Sequence, residues 1–89
     1  MKKYVVYILR SLSTSRLYIG QTDDFERRLN EHQRGKNLST RNRGPWEAVA
    51  LIHFETRKEA LQLERKLKSM KRPDRILKFV DRLLREADG

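Results

Sequence analysis

The stretch Tyr4–Leu9 restricts the fold of this chain more than any other feature, because it contains six consecutive apolar or aromatic residues. A strand with one solvent-facing side alternates apolar and polar residues, and this stretch does not alternate. It therefore predicts a strand that is covered on both faces, at the centre of a sheet. Residues 11–15 are polar and predict a turn, and Leu17–Gly20 returns as a second strand. The first 21 residues thus predict an antiparallel hairpin.

A first helix and a third strand follow the hairpin. Asp23 and Glu26 have the spacing of a capping box, which predicts the start of a helix, and Gly35 is a natural stop for it. Residues 36–45 are polar and predict a loop. Residues 46–55 contain an apolar run that predicts a third strand.

Two further helices complete the expected fold. Thr56 and Glu59 form a second capping box, for a helix that we expect to end near Lys71. Pro73 suits the first turn of a final helix. The sequence therefore predicts an α+β fold, a three-stranded antiparallel sheet flanked by three helices, with residues 1–89 in a single domain.

Several classes of protein are excluded by composition. The 89 residues include no cysteine, so neither disulfides nor a thiolate zinc site can stabilise the fold. The longest run without a charged residue, 48–54, has seven residues, whereas a membrane span needs about 20 apolar ones. Arg10 interrupts the apolar start, which argues against a secretion signal. We expect a cytoplasmic protein with no membrane partner.

The charge distribution points to a nucleic acid partner. The net charge is +9, and residues 65–78 hold seven basic residues against one acidic residue. Such patches suit a phosphate backbone, because neutralised phosphates release counterions, although a solvated surface that maintains solubility is the alternative. The candidate nucleic-acid-binding residues in this run and in the preceding loop are Arg34, Lys36, Arg41, Arg43, Lys66, Lys68, Lys71 and Arg72.

Two polar residues share the apolar face of the first predicted helix. Phe25 and Leu29 define that face, and helical spacing puts Arg28 and His32 on the same stripe. A guanidinium stays charged, so an inward Arg28 needs either a phosphate ligand or a structural ion pair. For His32 alone, a hydrogen-bonded structural histidine is the favoured interpretation.

The second predicted helix carries a carboxylate within its leucine face. Helical spacing puts Glu64 inside the stripe formed by Ala60, Leu61, Leu63 and Leu67. It is either an ion-pair partner for an arginine such as Arg28 or a ligand for Mg²⁺, which accepts one or two carboxylates together with phosphate oxygens. The pattern alone does not decide between them.

Three aromatic residues have both a structural and a functional interpretation. Tyr7 and Tyr18 are either core residues or phenols that contact a phosphate or a water. They lie opposite each other if paired residue numbers sum to 25, and a slip of one would separate them onto different faces. Trp46 either stacks on a base or closes the edge of the core, and the second interpretation is favoured.

Taken together, three segments resemble the GIY-YIG nuclease family, in particular its small stand-alone bacterial members. Val5-Val6-Tyr7 stands at the first tripeptide, Tyr18-Ile19-Gly20 reproduces the second, and residues 24–32 follow with the family's spacing. The resemblance runs from about residue 4 to residue 78. It implies that Arg28 is the catalytic arginine, that His32 is the histidine four residues later, and that Glu64 binds the metal.

The resemblance implies a phosphodiester hydrolase that uses one Mg²⁺ or Mn²⁺ ion, held by Glu64. Arg28 would stabilise the charge that develops on phosphorus, and His32 would orient a tyrosine hydroxyl. Tyr7 or Tyr18 would orient or deprotonate the attacking water. A phenol with a pKa near 10 is a poor base at neutral pH, so the base role would need help from Arg28 or the metal.

The chain departs from the family pattern at two places. Val5 and Val6 replace the glycine and isoleucine of the first tripeptide, and no asparagine follows Asn42, although many family members carry one downstream of the glutamate. We expect a metal-dependent DNA endonuclease of low sequence specificity that acts in DNA repair or processing. The alternatives are a non-catalytic nucleic-acid-binding module and a subunit or adaptor of a larger repair complex. The sequence leaves open whether the substrate is single-stranded, duplex or branched DNA, or RNA.

Overall fold

The structure, a computed structural model, describes residues 1–37 and 40–88. The predicted loop 36–45 includes residues 38 and 39, which lie outside the described residues. The elements are β1 (Tyr4–Ser11), β2 (Leu17–Thr22), α1 (Phe25–Gln33), β3 (Trp46–Phe54), α2 (Arg57–Met70) and α3 (Pro73–Asp88). The predicted α+β class, with three strands and three helices, is confirmed.

The first strand lies at the centre of the sheet, as its unbroken apolar run predicts. The strand order is β2-β1-β3, and both pairings are antiparallel. Because successive side chains of a strand point to opposite faces, Val6 and Ile8 pack against α2 and α3, whereas Tyr7 and Leu9 face α1. All four are buried. The sheet is therefore covered on both faces at β1, and the side that carries Tyr7 is the α1 side.

The register of the hairpin brings the two tyrosines together along a diagonal. Tyr7 pairs with Gly20 and Leu9 pairs with Tyr18, so the paired numbers sum to 27 and not to 25. A slip of two residues keeps a side chain on its face, so Tyr7 and Tyr18 share the α1 side. Their ring centroids are 6.2 Å apart. The tyrosines are thus neighbours without being directly opposite.

The start of α1 differs by one residue from the sequence prediction. The N-cap is Asp24 and not Asp23, because an Asp24 carboxylate oxygen accepts a hydrogen bond from the backbone N–H of Arg27 at 3.1 Å. Thr22 supports this cap by accepting from the Asp24 N–H at 3.0 Å. After the helix, Gly35 has a φ of +74°, the left-handed conformation that glycine adopts readily. The predicted stop at Gly35 is confirmed.

The other two helices cover the second face of the sheet. Thr56 caps α2 by accepting from the Glu59 N–H at 3.2 Å, which confirms the second capping box. Leu63 and Leu67 of α2 pack with Val80 of α3 in the larger core cluster. This packing lays α2 against β1 and β2, with Glu64 on the same helix. Among the described residues, no helix is long and apolar enough to cross a membrane.

The end of the loop before β3 is attached to its surroundings by side-chain hydrogen bonds. The Gln33 amide accepts from the Trp46 N–H at 2.9 Å and donates to the Trp46 carbonyl at 2.7 Å. The buried Ser11 hydroxyl donates to the Arg43 carbonyl, and the Leu12 N–H donates to the Pro45 carbonyl at 2.9 Å. These bonds hold Arg43 beside the turn between β1 and β2.

Candidate active site

Tyr7 and His32 form a buried hydrogen-bonded pair. The side chains come from β1 and α1, and each residue is only 1% exposed. The Tyr7 hydroxyl lies 3.0 Å from Nε2 of His32, and Nδ1 of the same ring lies 2.8 Å from the Thr40 hydroxyl. Both ring nitrogens of His32 are therefore hydrogen-bonded, as expected for a structural histidine that orients a tyrosine.

Tyr18 completes the aromatic cluster and is the more accessible of the two phenols. Its ring centroid lies 4.6 Å from that of His32 and 6.5 Å from that of Trp46. Unlike Tyr7, it is only partly buried, and it lines an open groove with residues of α2. A ligand in that groove can reach Tyr18, whereas Tyr7 is buried and does not line the groove.

Arg28 has an acidic partner on its own helix. Its side chain is 30% exposed, and Nη1 lies 2.8 Å from Oε1 of Glu31. The sequence left open an ion pair between Arg28 and Glu64. In the structure Arg28 pairs instead with Glu31, which lies one turn away on α1. Arg28 also lies near Tyr7, since its positive charge lowers the pKa of that phenol.

Glu64 lies partly buried on α2 and forms an ion pair with Lys68, one turn later on the same helix. Its side chain is 16% exposed, and Oε2 lies 3.3 Å from Nζ of Lys68. The carboxylate is also near enough to Tyr7 to contribute to the rise of that phenol's pKa. Its described ion-pair partner, Lys68, has an exposed side chain.

The electrostatic environment keeps the central pair neutral. Burial is the main cause that raises the pKa of Tyr7 to about 12, and Tyr18 adds to this, while Arg28 opposes it without reversing it. Burial, and then the charge of Arg28, lower the pKa of His32 below its ordinary value. Tyr7 is therefore a phenol and His32 a neutral imidazole at pH 7. The charge of Arg28 lowers the pKa of Tyr7, but desolvation has the larger effect on this phenol.

The residues present suit a metal that the protein holds by only one carboxylate. Among residues 1–37 and 40–88, no three His, Cys, Asp or Glu side chains cluster to form a complete metal site. Mg²⁺ keeps several waters and is commonly bound by one or two carboxylates with substrate phosphates. Glu64 fits that pattern, because breaking its pair with the exposed Lys68 costs little.

A groove beside Tyr18 gathers basic side chains from three parts of the chain. Arg16 comes from the turn after β1, Arg43 from the loop before β3, Lys68 from α2 and Lys71 from the position directly after α2. The apolar part of the groove includes Leu67, so the cations surround a partly apolar floor. Lys68 belongs to this groove and also contacts Glu64, which links the groove to the tyrosine cluster.

The remaining basic candidates lie apart from this groove. Lys66 points to the opposite side of α2, where its Nζ lies 5.1 Å from the centroid of the Phe79 ring. Arg34 and Lys36 line a separate concavity beside Glu31. Arg72 pairs with Asp74 at 3.2 Å, and Arg41 is an exposed loop residue. Of the eight predicted nucleic-acid-binding residues, the groove therefore brings together Arg43, Lys68 and Lys71.

Trp46 belongs to the core and does not offer a stacking surface. It is buried, and its indole N–H donates to the Thr40 carbonyl at 3.3 Å. The favoured prediction, that it closes the edge of the core, is confirmed. Two residues of the site were missed by sequence reasoning: Arg16 in the groove and Thr40 behind His32. Both lie in polar segments, where no periodicity marks the direction of a side chain.

Comparison with known families identifies what this arrangement is similar to. The family described as the GIY-YIG catalytic domain matches residues 3–77. A UPF0213 protein of Oceanobacillus iheyensis is 38% identical over 76 residues, which cover 84% of this chain and 87% of that protein. The structure-specific endonuclease subunit SLX1 of Candida dubliniensis is 43% identical over 72 residues, which cover 72% of this chain but only 25% of that protein.

A solved structure agrees with the fold. The solution NMR structure of a UPF0213 protein from Bacillus halodurans superposes with a TM-score of 0.52 at 36% sequence identity. The match covers 81% of this chain and 77% of that chain. The sheet and helices described above are therefore shared with a relative of similar size.

Proposed function

Because this chain belongs to the GIY-YIG family of nucleases and to its small UPF0213 members, we propose that it is a metal-dependent DNA endonuclease acting in DNA repair or processing. One observation carries the proposal. Lys68 lines the same groove as Tyr18 and contacts the carboxylate of Glu64 at 3.3 Å, so a basic groove, a phenol and a carboxylate meet at one place. A phosphodiester in the groove would lie between cations and a potential metal ligand.

The two tyrosines differ in exposure and have different roles in this mechanism. Tyr7 is buried and keeps its proton, since its pKa is raised to about 12, so it is unsuited to deprotonate water. Tyr18 lines the groove and can accept a hydrogen bond from the attacking water. In this mechanism Tyr18 orients the water, and Tyr7 with His32 fixes the wall behind it.

Arg28 supplies the positive charge on the α1 side of the site. It is charged at any pH of interest, and its pair with Glu31 restricts the side chain to a position near Tyr7. Hydrolysis adds negative charge to the phosphoryl oxygens as the water oxygen bonds to phosphorus and the ester bond breaks. A fixed guanidinium stabilises that charge at little cost of reorganisation.

Glu64 is the residue that would hold a divalent metal, either Mg²⁺ or Mn²⁺. When bound, such an ion acts as a Lewis acid that polarises a phosphoryl oxygen. With a metal held by Glu64, the ammonium group of Lys68, which in the structure pairs with that carboxylate and lines the groove, would be left to contact a phosphate there. A carboxylate in this position would weaken a protein that only binds nucleic acid, because it repels phosphate.

The proposal is tested by incubating the protein with labelled DNAs in Mg²⁺, Mn²⁺ or EDTA. The panel contains single-stranded, duplex, flap and four-way-junction DNA, with a single-stranded RNA for comparison. The test variant is Glu64→Gln, which keeps the size of the side chain, and the matched control is Glu86→Gln, at an exposed position near the end of α3. We expect cleavage that needs metal, is lost in Glu64→Gln and is retained in Glu86→Gln.

The other outcomes separate the alternatives. Binding to DNA without cleavage in any metal would contradict the endonuclease and leave a binding module, for which the missing downstream asparagine would be the reason. Cleavage that survives in Glu64→Gln would contradict the role of this carboxylate. Activity that appears only with a co-purifying protein would favour a nuclease subunit, as the name of the Candida relative suggests for that protein.

A further inference from the structure

A chain of hydrogen bonds extends from Tyr7 through His32 into the loop that follows α1. The Tyr7 hydroxyl lies 3.0 Å from Nε2 of His32, and Nδ1 lies 2.8 Å from Oγ1 of Thr40. The Thr40 hydroxyl in turn donates to the carbonyl of Asn37 at 3.4 Å. Each of the three side chains is 1% exposed, so water does not compete for these bonds.

The direction of every bond in this chain follows from the end at Asn37. At this end, the Asn37 carbonyl can only accept, so the Thr40 hydroxyl uses its hydrogen there and accepts from Nδ1 of His32. His32 then carries its proton on Nδ1, and Nε2, which lies 3.0 Å from the Tyr7 hydroxyl, has a lone pair and no hydrogen to donate. The Tyr7 hydroxyl therefore directs its own hydrogen to Nε2 of His32.

We propose that Thr40 is a positioning residue that holds His32 as the tautomer with its proton on Nδ1. In that tautomer Nε2 has a lone pair and accepts from the Tyr7 hydroxyl. The opposite tautomer would place an N–H against the Tyr7 oxygen, and the hydroxyl would then direct its hydrogen away from His32. Thr40 thus sets the orientation of the Tyr7 hydroxyl through the ring of His32.

Thr40 is itself fixed by its backbone, as a positioning residue needs to be. Its N–H donates to the Asn37 carbonyl at 3.2 Å. Its carbonyl accepts from the Arg43 N–H at 3.2 Å and from the indole N–H of Trp46 at 3.3 Å. The hydroxyl is therefore presented to His32 by a loop that is tied to the core.

The tautomer can be measured directly, independently of any activity. The chain has two histidines, His32 and the exposed His53, so ring ¹⁵N chemical shifts in the wild-type protein can be assigned by one His53→Gln variant. We expect His32 to show a protonated Nδ1 and an unprotonated Nε2 at pH 7. A protonated Nε2 with a bare Nδ1 would overturn the proposal, whether or not the protein cleaves DNA.

The kinetic arm rests on the proposed endonuclease function. Thr40→Val keeps the shape of the side chain and removes the hydroxyl, and Thr40→Ser restores it. We expect Thr40→Val to shift His32 toward a mixture of tautomers and to lower kcat by about tenfold with KM unchanged, as for loss of a supporting hydrogen bond behind a reactive group. Thr40→Ser should recover both readouts.

Two results would overturn the role of Thr40. One is an unchanged His32 tautomer in Thr40→Val, and the other is equal loss of kcat in Thr40→Val and Thr40→Ser. If Thr40→Val does not fold, the His32 tautomer in the wild type and the kinetics of Thr40→Ser still test the role of Thr40. Because the ¹⁵N readout needs no substrate, failure of the endonuclease proposal is distinguished from failure of this one.

Discussion

The phenol of Tyr7 lies directly over Gly20, its partner in the hairpin register. A Cβ atom at position 20 would lie 2.4 Å from the Tyr7 hydroxyl oxygen and 2.6 Å from the ring carbon that bears it. Both distances are far inside van der Waals contact, so only glycine leaves room for the ring in this position. The glycine of the Tyr18-Ile19-Gly20 segment thus has a steric role in placing the buried tyrosine.

Replacing this glycine should displace the tyrosine and disturb the site. We expect Gly20→Ala to destabilise the protein by about 1–3 kcal/mol, the usual range for overpacking a core, and to abolish most of any cleavage activity. Chemical denaturation and a cleavage assay check the two effects. Because the clash is with Tyr7, the cost should be smaller in a Tyr7→Ala background, whereas equal costs in both backgrounds would show that the strain lies elsewhere.

The buried histidine should make the protein sensitive to mild acid. The pKa of His32 is lowered in the folded state, so the unfolded chain binds more protons as the pH falls through the ordinary value of 6.5. Stability is therefore expected to fall below about pH 6.5. Urea unfolding at pH 7.5 and 5.5 measures the loss, which should be smaller in His32→Gln. The matched variant His53→Gln should keep the wild-type loss, and a similar reduction in both variants would contradict the assignment to His32.

At alkaline pH the buried phenol of Tyr7 should determine how the stability of the protein changes with pH. The pKa of Tyr7 is raised from 10 to about 12, so the folded state holds a proton that the unfolded chain releases between these values. The contribution of the protonated Tyr7 to the stability of the folded state is complete below pH 10 and is lost as the pH rises through 12. The stability difference between wild type and Tyr7→Phe should accordingly shrink over this range, as followed by urea unfolding. A constant difference would mean that the phenol titrates normally.

The elements of this fold were predictable because their signals are local. An unbroken apolar strand, a capping box at Thr56 and Glu59, and a glycine stop each act within a few residues of chain. The cap of α1 was misplaced by one residue because Asp23 and Asp24 are both good caps and Glu26 suggested the wrong one. The hairpin register depended on turn geometry, which the polar residues 11–15 do not encode by pattern.

The site was only partly predictable, because its contacts cross between elements. Helical spacing identified Arg28, His32 and Glu64 as polar residues on apolar faces. It could also have separated Lys66 from Lys68, since Lys68 lies one turn after Glu64 and Lys66 lies on the far side of the helix. Thr40 had no such signal, because a loop has no period from which to infer the direction of a side chain.

The different positions of the lysines on and directly after α2 predict different effects on DNA binding. Lys68 and Lys71 line the groove, whereas Lys66 lies over Phe79. In EDTA, Lys71→Met should reduce the slope of log affinity against log salt concentration by about one, as for loss of one phosphate contact. Lys68→Met should reduce it less, because without metal Lys68 is paired with Glu64.

Lys66→Met is the matched control for both variants, since it removes the same charge from the same stretch of chain. Its slope should equal that of the wild type, as measured by fluorescence anisotropy at several salt concentrations. If the slope were reduced equally in all three variants, the net charge of the protein, and not the position of a lysine in the groove, would determine DNA binding.

Gln33 should be important for stability although its side chain is on the surface side of α1. Its amide bonds both the N–H and the carbonyl of the buried Trp46, which closes the loop between α1 and β3. Gln33→Leu removes both bonds and leaves a buried N–H without its partner, at a cost of about 1–3 kcal/mol. Asn30→Leu, at an exposed position on the same helix, is the control and should change stability by less than about 0.5 kcal/mol. Equal costs in denaturation experiments would indicate that the loop is held by its other contacts, such as the Ser11 hydroxyl bond to Arg43.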